Sequence, residues 1–254
     1  MYPILIKIGP VTIYAHGVFV ALGFVAGILL ALSIGQKDGI PKGKIHDMVF
    51  YIFIAAIAGS RLFFILTQLE YYTENPLDIV KIWEGGLVFY GGLLFAVPVL
   101  FIYLKKNALP VWKTLDVFAP CLAIGHAIGR IGCFFAGSCY GKPTDLPWGV
   151  IFNDPNSMAT KGIPLHPTQL YESFVEAGIF IFLMTLRRHK IFDGQIMWTY
   201  ILLYSAARFI IEFFRGDRIR GFIYGDFSIA QGISVVLFFV AVIFLLYNRR
   251  NKIE

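Results

Sequence analysis

The sequence predicts an all-α integral membrane protein, a bundle of seven transmembrane helices forming a single polytopic domain over residues 1–254. Three observations carry that reading. Hydrophobic residues fill 57% of the chain and charged residues only 15%, with a mean hydropathy of +0.70, whereas a soluble domain carries roughly 25% charged residues. Seven apolar stretches each approach the ~20 residues that cross a hydrocarbon core of ~30 Å as a helix. The remaining charge collects mostly in the short segments between them.

The opening residues, MYPILIKIGPVTIYAHG, lack the ordered basic start, apolar stretch and small-residue cleavage site of a removable signal peptide. The first span, near 14–34, is therefore expected to act as its own insertion signal. The second, near 48–69, runs through AAIAGSRLFFIL and carries Arg61 in its outer half. The third, near 86–104, opens with EGGLVFYGGLLF, where four glycines surround Tyr90 and permit close helix contact or an interrupted helix. The fourth, near 115–137, holds Arg130. An outer loop of about 138–168, rich in Pro, Gly, Asp and Asn, follows; connections of that length are uncommon unless they work. It ends in HPTQLYE, a helix start with Pro167 near the first turn and Thr168 as cap. The fifth span lies near 169–186 and the sixth near 195–214. The seventh, near 227–247, contains SVVLFFVAVIFLLY and is the plainest lipid-facing candidate. No internal repeat is visible.

Loop cations set the orientation. One set of loops holds twelve: Lys37, Lys42, Lys44, Lys105, Lys106, Lys113, Arg187, Arg188, Lys190, Arg249, Arg250 and Lys252. The opposite set holds six: Lys7, Lys81, Lys142, Lys161, Arg218 and Arg220. The amino terminus is expected outside and the carboxyl terminus inside. A net charge of +6 and a pI near 9.2 thus reflect topology, and no nucleic-acid partner is expected. Cys121, Cys133 and Cys139 fit neither a disulfide framework nor a zinc spacing. No metal cluster or nucleotide loop is visible, so no cofactor is expected.

Arg130 stands inside an apolar run between Gly129 and Gly132. An intramembrane arginine is costly unless something meets it, and marks a functional site by default; a planar cation able to reach a membrane anion is a phosphate grip. In the sixth span Tyr204, Arg208 and Glu212 fall at i, i+4 and i+8, on one helical face. That stripe must face the protein interior or a wet cavity. Arg208 and Glu212 can neutralise each other, but Arg130 has no acid within reach on its own helix. Either a bound anion completes it, or Glu172 or Glu212 pairs with it and locks the bundle. Arg61 either binds substrate or snorkels to the interface. Tyr90 is a belt residue or a chemical one. His16 and His126 are hydrogen-bonded or carry protons, and His166 is read first as part of the helix cap. The cysteines read as small core residues, with no sequence-local base beside them.

Six motifs in order resemble the bacterial prolipoprotein diacylglyceryl transferases: GPVTIYAHG, GSRLFF, IWEGGLVFYGG, GHAIGRIGCFFAGSCYG, HPTQLYE and YSAARFIIEFFR. The similarity covers nearly the whole chain. It implies transfer of a diacylglyceryl group from phosphatidylglycerol to the lipobox cysteine thiol of prelipoproteins, forming a thioether and releasing glycerol phosphate. It implies membrane lipids and prelipoprotein signal peptides as partners, and the bacterial cytoplasmic membrane as the location. By that resemblance Arg130 and Arg208 match essential arginines, and Tyr204 and Glu212 their neighbouring stripe. The implied substrate site adds Gly132, Gly141, His16 and Arg61. Tyr90 stands where many members carry a histidine proposed as the base, Cys133 and Ser138 where an asparagine and a glutamate are usual, and His16 where tyrosine is common. The alternatives are a divergent transferase with another acceptor, prompted by those departures, and a lipid or anion transporter in which the arginines form a transit site.

Overall fold

The computed structural model describes residues 2–9, 11–81, 85–217, 221–225 and 227–250. Arg218, Arg220 and Lys252 of the orientation count lie outside the described residues, as do Ile82, Trp83 and Glu84 of the third motif and Pro10 of the first.

Among the described residues there are eight α-helices, seven of them along the apolar runs. They are α1 (Ala15–Lys37), α2 (Lys42–Thr67), the short α3 (Leu69–Glu74), α4 (Phe89–Lys106), α5 (Val111–Ala136), α6 (Thr168–Leu186), α7 (Gln195–Glu212) and α8 (Ile229–Arg250). Among the described residues, α1, α2, α5, α6 (extended by a 3₁₀ turn to His189) and α8 are long and apolar enough to cross a membrane; α4 and α7 have 18 residues each. The chain is thus a helical, multi-pass membrane protein. On α8 the side chains of Val236, Phe239, Ile243 and Leu246 are largely exposed. They sit at helical spacing, as lipid-facing positions do.

Among the described residues, three two-stranded antiparallel ribbons accompany the helices, where the sequence predicts helices alone. They pair β1 (Ile4–Ile8) with β2 (Val11–Tyr14), β3 (Val150–Ile151) with β4 (Pro164–Leu165), and β5 (Phe222–Tyr224) with β6 (Phe227–Ser228). In the first, Gly9 takes φ +56 and turns a β-branched run back on itself. The third long span was expected from residue 86, but α4 begins at Phe89 because Gly85 and Gly86 adopt φ +92 and +74, a left-handed backbone that glycine alone enters at little cost.

The chain forms two compact units, residues 1–31 with 115–254, and residues 32–114. In the smaller unit α2 and α4 pack at glycines: a Cβ on Gly91 would lie 2.5 Å from the Gly59 carbonyl oxygen. In the larger unit α1 meets α5 in the same manner, where a Cβ on Gly23 would lie 2.6 Å from the Gly125 oxygen. Small residues allow such approaches where no hydrophobic drive between helices exists. The segment from 137 to 167 folds back under α5, burying Phe152, Ala159 and Leu165 against Phe134, Tyr140 and Val150.

Glycine at these crossings is a packing requirement, and that is testable. Gly91→Ala should lower the stability of the detergent-solubilised protein by about 1–3 kcal/mol, the usual cost of overpacking. Gly178→Ala, where a Cβ meets nothing within 4 Å, should leave the melting temperature unchanged or slightly raised.

Candidate active site

Three helices of the larger unit bring the polar side chains together. On α5, His126 and Arg130 are one turn apart and share a face. On α6, Glu172 and Glu176 repeat that spacing, and on α7 Tyr204, Arg208 and Glu212 extend it. The start of α6 is fixed by buried hydrogen bonds: Thr168 Oγ1 donates to the Cys139 carbonyl at 2.8 Å, and Gln169 Nε2 to that of Ser138 at 2.7 Å. One turn further, Ser173 Oγ donates to the Ala127 carbonyl on α5 at 2.8 Å. These contacts set Glu172 opposite Arg130.

Glu172 is the hub. One of its oxygens pairs with Nε of Arg130. The other meets Nη1 of Arg208 at 2.5 Å and lies 3.6 Å from Nη1 of Arg215. Glu212 takes Nη2 of Arg208 at 2.8 Å, and Asp217 accepts from Nε and Nη2 of Arg215 at 2.8 and 2.6 Å. Glu172, Glu212 and Arg215 are all buried. Of the two completions open to Arg130, the structure contains the acid Glu172. The pair is not closed, however. Arg130 donates its Nε–H to Nε2 of His126 at 3.1 Å and meets Glu172 through the same nitrogen as an ion pair, and its two terminal nitrogens make no hydrogen bond to any described residue. Four N–H donors therefore remain for an anion.

Arg215 lies just beyond α7. Burial opposes its charge, but the hydrogen bonds to Asp217 and the nearby acids outweigh that penalty, so its pKa rises and it stays a cation. Its neighbour Cys139, φ +58, is pushed above the ordinary thiol range by its hydrogen bond with Cys133 and by burial. A thiol so held is protonated and is a poor nucleophile. Cys133 lies 3.8 Å from Nδ1 of His16, which places His16 on the α1 side of the same helix end. Gly132 lets α1 approach there: its Cβ would sit 3.1 Å from the His16 carbonyl. Gly141 serves the loop. Its N–H donates to the His166 carbonyl at 3.0 Å, while Lys142 N–H donates to Phe214 O at 2.8 Å, tying the loop to the chain that carries Arg215. His166 itself pairs with the Tyr171 hydroxyl at 3.1 Å, which also accepts from Trp148.

Tyr90 and Arg61 belong to the other unit. Tyr90 is exposed in the first turn of α4. Arg61 is buried rather than snorkelling: it donates to the carbonyls of Ile79, Asp78, Gly85 and Gly86 at 2.9, 2.5, 2.9 and 3.3 Å. Its guanidinium also stacks on Phe64 and Tyr72, 5.7 and 5.4 Å from the ring centres. Here it braces a non-helical segment. Glu176 and Arg215 were not singled out from the sequence. Glu176 stands at i+4 from Glu172, and Arg215 at i+7 from Arg208, so a wider search along the same faces would have found both.

Removing one carboxylate that serves three guanidiniums leaves buried charge uncompensated, at a typical cost of about 3–5 kcal/mol. Glu172→Gln should therefore lower the melting temperature of the purified protein far more than Glu70→Gln, on the exposed short helix α3. Equal melting of the two variants would show that the array carries no such energy.

A sequence model of the prolipoprotein diacylglyceryl transferases matches residues 3–247. Among curated relatives, the chain is 34% identical over 252 residues to the phosphatidylglycerol–prolipoprotein diacylglyceryl transferase of Clostridium tetani, covering 99% of this chain and 100% of the relative. It is 34% identical over 253 residues to the protein of that name from Bacillus cereus, with 96% and 91% covered. To that of Halalkalibacterium halodurans it is 35% identical over 257 residues, with 98% and 86% covered. The motifs that carry the arginines lie within these full-length matches: the chain belongs to the prolipoprotein diacylglyceryl transferase family.

Proposed function

We propose that the protein transfers the diacylglyceryl group of phosphatidylglycerol to the thiol of the lipobox cysteine in a prelipoprotein signal peptide, releasing glycerol phosphate. The observation that carries this reading beyond family membership is the open edge of Arg130: a mostly buried cation, held by Glu172, with its terminal nitrogens unspent. A lipid phosphate supplies the oxygens that such an edge lacks.

In the proposed reaction the thiolate sulfur attacks the glycerol carbon that bears the phosphate ester. The C–S bond forms as the C–O bond breaks, and the electron pair departs on the phosphate. Negative charge therefore grows on the phosphate oxygens in the transition state, where fixed guanidiniums in a dry site stabilise it most. Arg130 and Arg208 hold that phosphate. Glu212 and Glu172 fix Arg208, and the Tyr204 ring, one turn before it, walls the same face. Gly132 and Gly141 keep the approach narrow, and His16 borders it; for Tyr90 and Arg61, in the smaller unit, a substrate role rests on the family resemblance alone.

The same reading makes α4 and α7 spans alongside the five apolar helices, giving seven in all. The amino terminus is then outside and the carboxyl terminus in the cytoplasm of a bacterium, with the loop of about 138–168 on the outer face, where a signal peptide arrives.

Incubating the purified protein with phosphatidylglycerol and a lipobox peptide should add the mass of a diacylglyceryl group to the peptide. Arg130→Ala should cut that rate by roughly 1,000-fold or more, the scale on which lost transition-state cations act, while the variant still inserts and accumulates. Wild-type rate in Arg130→Ala would remove the phosphate grip. An unmodified peptide with the wild-type protein would favour a transporter. Arg208→Lys should also fail to restore turnover, because an ammonium lacks the planar fork that spans Glu172 and Glu212.

A further inference from the structure

The transfer to a thiol requires that the S–H proton leave, and the larger unit contains a pair of side chains arranged to take it. His126 projects from α5 one turn before Arg130. Its Nδ1 lies 2.9 Å from Oε1 of Glu176, a carboxylate that is 2% exposed on α6. Its Nε2 lies 3.1 Å from Nε of Arg130. Arginine only donates, so Nε2 is the unprotonated nitrogen, and the ring proton on Nδ1 is donated to Glu176. That fixes one tautomer: a neutral imidazole with its basic lone pair turned toward the arginine array and its back held by a buried acid. This is the arrangement of a general base with its orienting carboxylate.

The surroundings agree. The other oxygen of Glu176 is buried and accepts no hydrogen bond among the described residues, so the hydrogen bond of this side chain goes to His126. The groups that face the imidazole are Glu176 and Glu172 on α6, Tyr204 on α7, with ring centres 5.5 Å apart, and Arg130 on its own helix. The side chain of His126 is 27% exposed, so a substrate group can reach it. The Nε of Arg130 also stands in ion-pair contact with Oε2 of Glu172, which accepts no hydrogen bond among the described residues. A thiol can therefore displace the contact with His126 without leaving the guanidinium unpaired.

Resting on the transferase reading above, we propose that His126 is the proton acceptor for the acceptor thiol and that Glu176 positions it. The thiol proton passes to Nε2 of His126, and the thiolate sulfur attacks the glycerol carbon. The C–O electron pair leaves with the phosphate, and His126 then returns its proton to the released glycerol phosphate or to solvent. Arg130 must turn from Nε2 as the proton arrives, since two donors cannot share that lone pair. Glu172 and the lipid phosphate keep it paired.

The test compares His126→Gln and Glu176→Gln with wild type, using phosphatidylglycerol in detergent micelles and a synthetic lipobox peptide carrying either cysteine or selenocysteine. A selenol is already ionised at neutral pH and needs no base. With the cysteine peptide, His126→Gln should lose about 100- to 10,000-fold in kcat, the range of general-base contributions, with KM for the lipid within about threefold. With the selenocysteine peptide the same variant should come within about tenfold of wild type. Glu176→Gln should follow the same split with a smaller loss on the thiol, which keeps the test open should His126→Gln fail to fold. Unchanged turnover on the thiol, or equal loss on thiol and selenol, overturns the assignment and leaves His126 holding Arg130 only. If the wild-type protein modifies neither peptide, the transferase reading falls and takes this inference with it.

Discussion

The site depends on one carboxylate. Glu172 is buried between helices α5 and α7 and serves Arg130, Arg208 and Arg215, so three cations share a hub whose own desolvation is considerable. With Glu212 and Asp217 the six groups balance in formal charge, three against three. Buried ion pairs seldom add net stability over an apolar core of the same shape, but breaking one is costly. What the arrangement provides is preorganisation: guanidiniums fixed in a water-poor site before substrate arrives, so that little reorganisation remains when charge develops. Arg130 is the incomplete member. It is anchored through Nε and open at its far edge, which separates the part of the side chain that is structural from the part that can meet a ligand.

That division rests on small residues elsewhere. Gly23, Gly125 and Gly132 let α1 and α5 run close together, and Gly141 lets the loop dock against the chain that follows α7. Arg215 depends on this docking, because it lies outside any helix and is located by the strand-like bonds of Tyr140–Lys142 with Phe214–Gly216. Of the cysteines next to them, Cys133 is buried and Cys139 half-buried. They fill space at the end of α5, and Cys139 is held as the protonated thiol.

The parts of this design that are local in sequence were readable from it. Apolar runs placed the long helices, and the i, i+4, i+8 spacing put Tyr204, Arg208 and Glu212 on one face because helix geometry alone requires it. Arg130 drew notice as an unpaired charge for the same reason. Its partner was less accessible: choosing Glu172 over Glu212 needs the packing of α5 against α6, a contact 42 residues apart in the chain. Arg61 shows the converse, since its acceptors are backbone carbonyls 17 to 25 residues downstream, and backbone carbonyls carry no residue signature. Glu176 shares a face of α6 with Glu172, one turn away, but its role as an orienting acid follows only from His126 opposite it on α5. The late start of α4 turned on two glycines whose left-handed φ values sequence permits but does not demand.

The central claim is that the free edge of Arg130 receives a lipid phosphate. It is tested most directly by phosphorus NMR of phosphatidylglycerol titrated with the purified protein in detergent, comparing wild type with Arg130→Gln. The account predicts a saturable change in the lipid phosphorus resonance with wild type that is absent with the variant, while circular dichroism shows both equally helical. An undiminished, saturable change with a folded Arg130→Gln protein would contradict it.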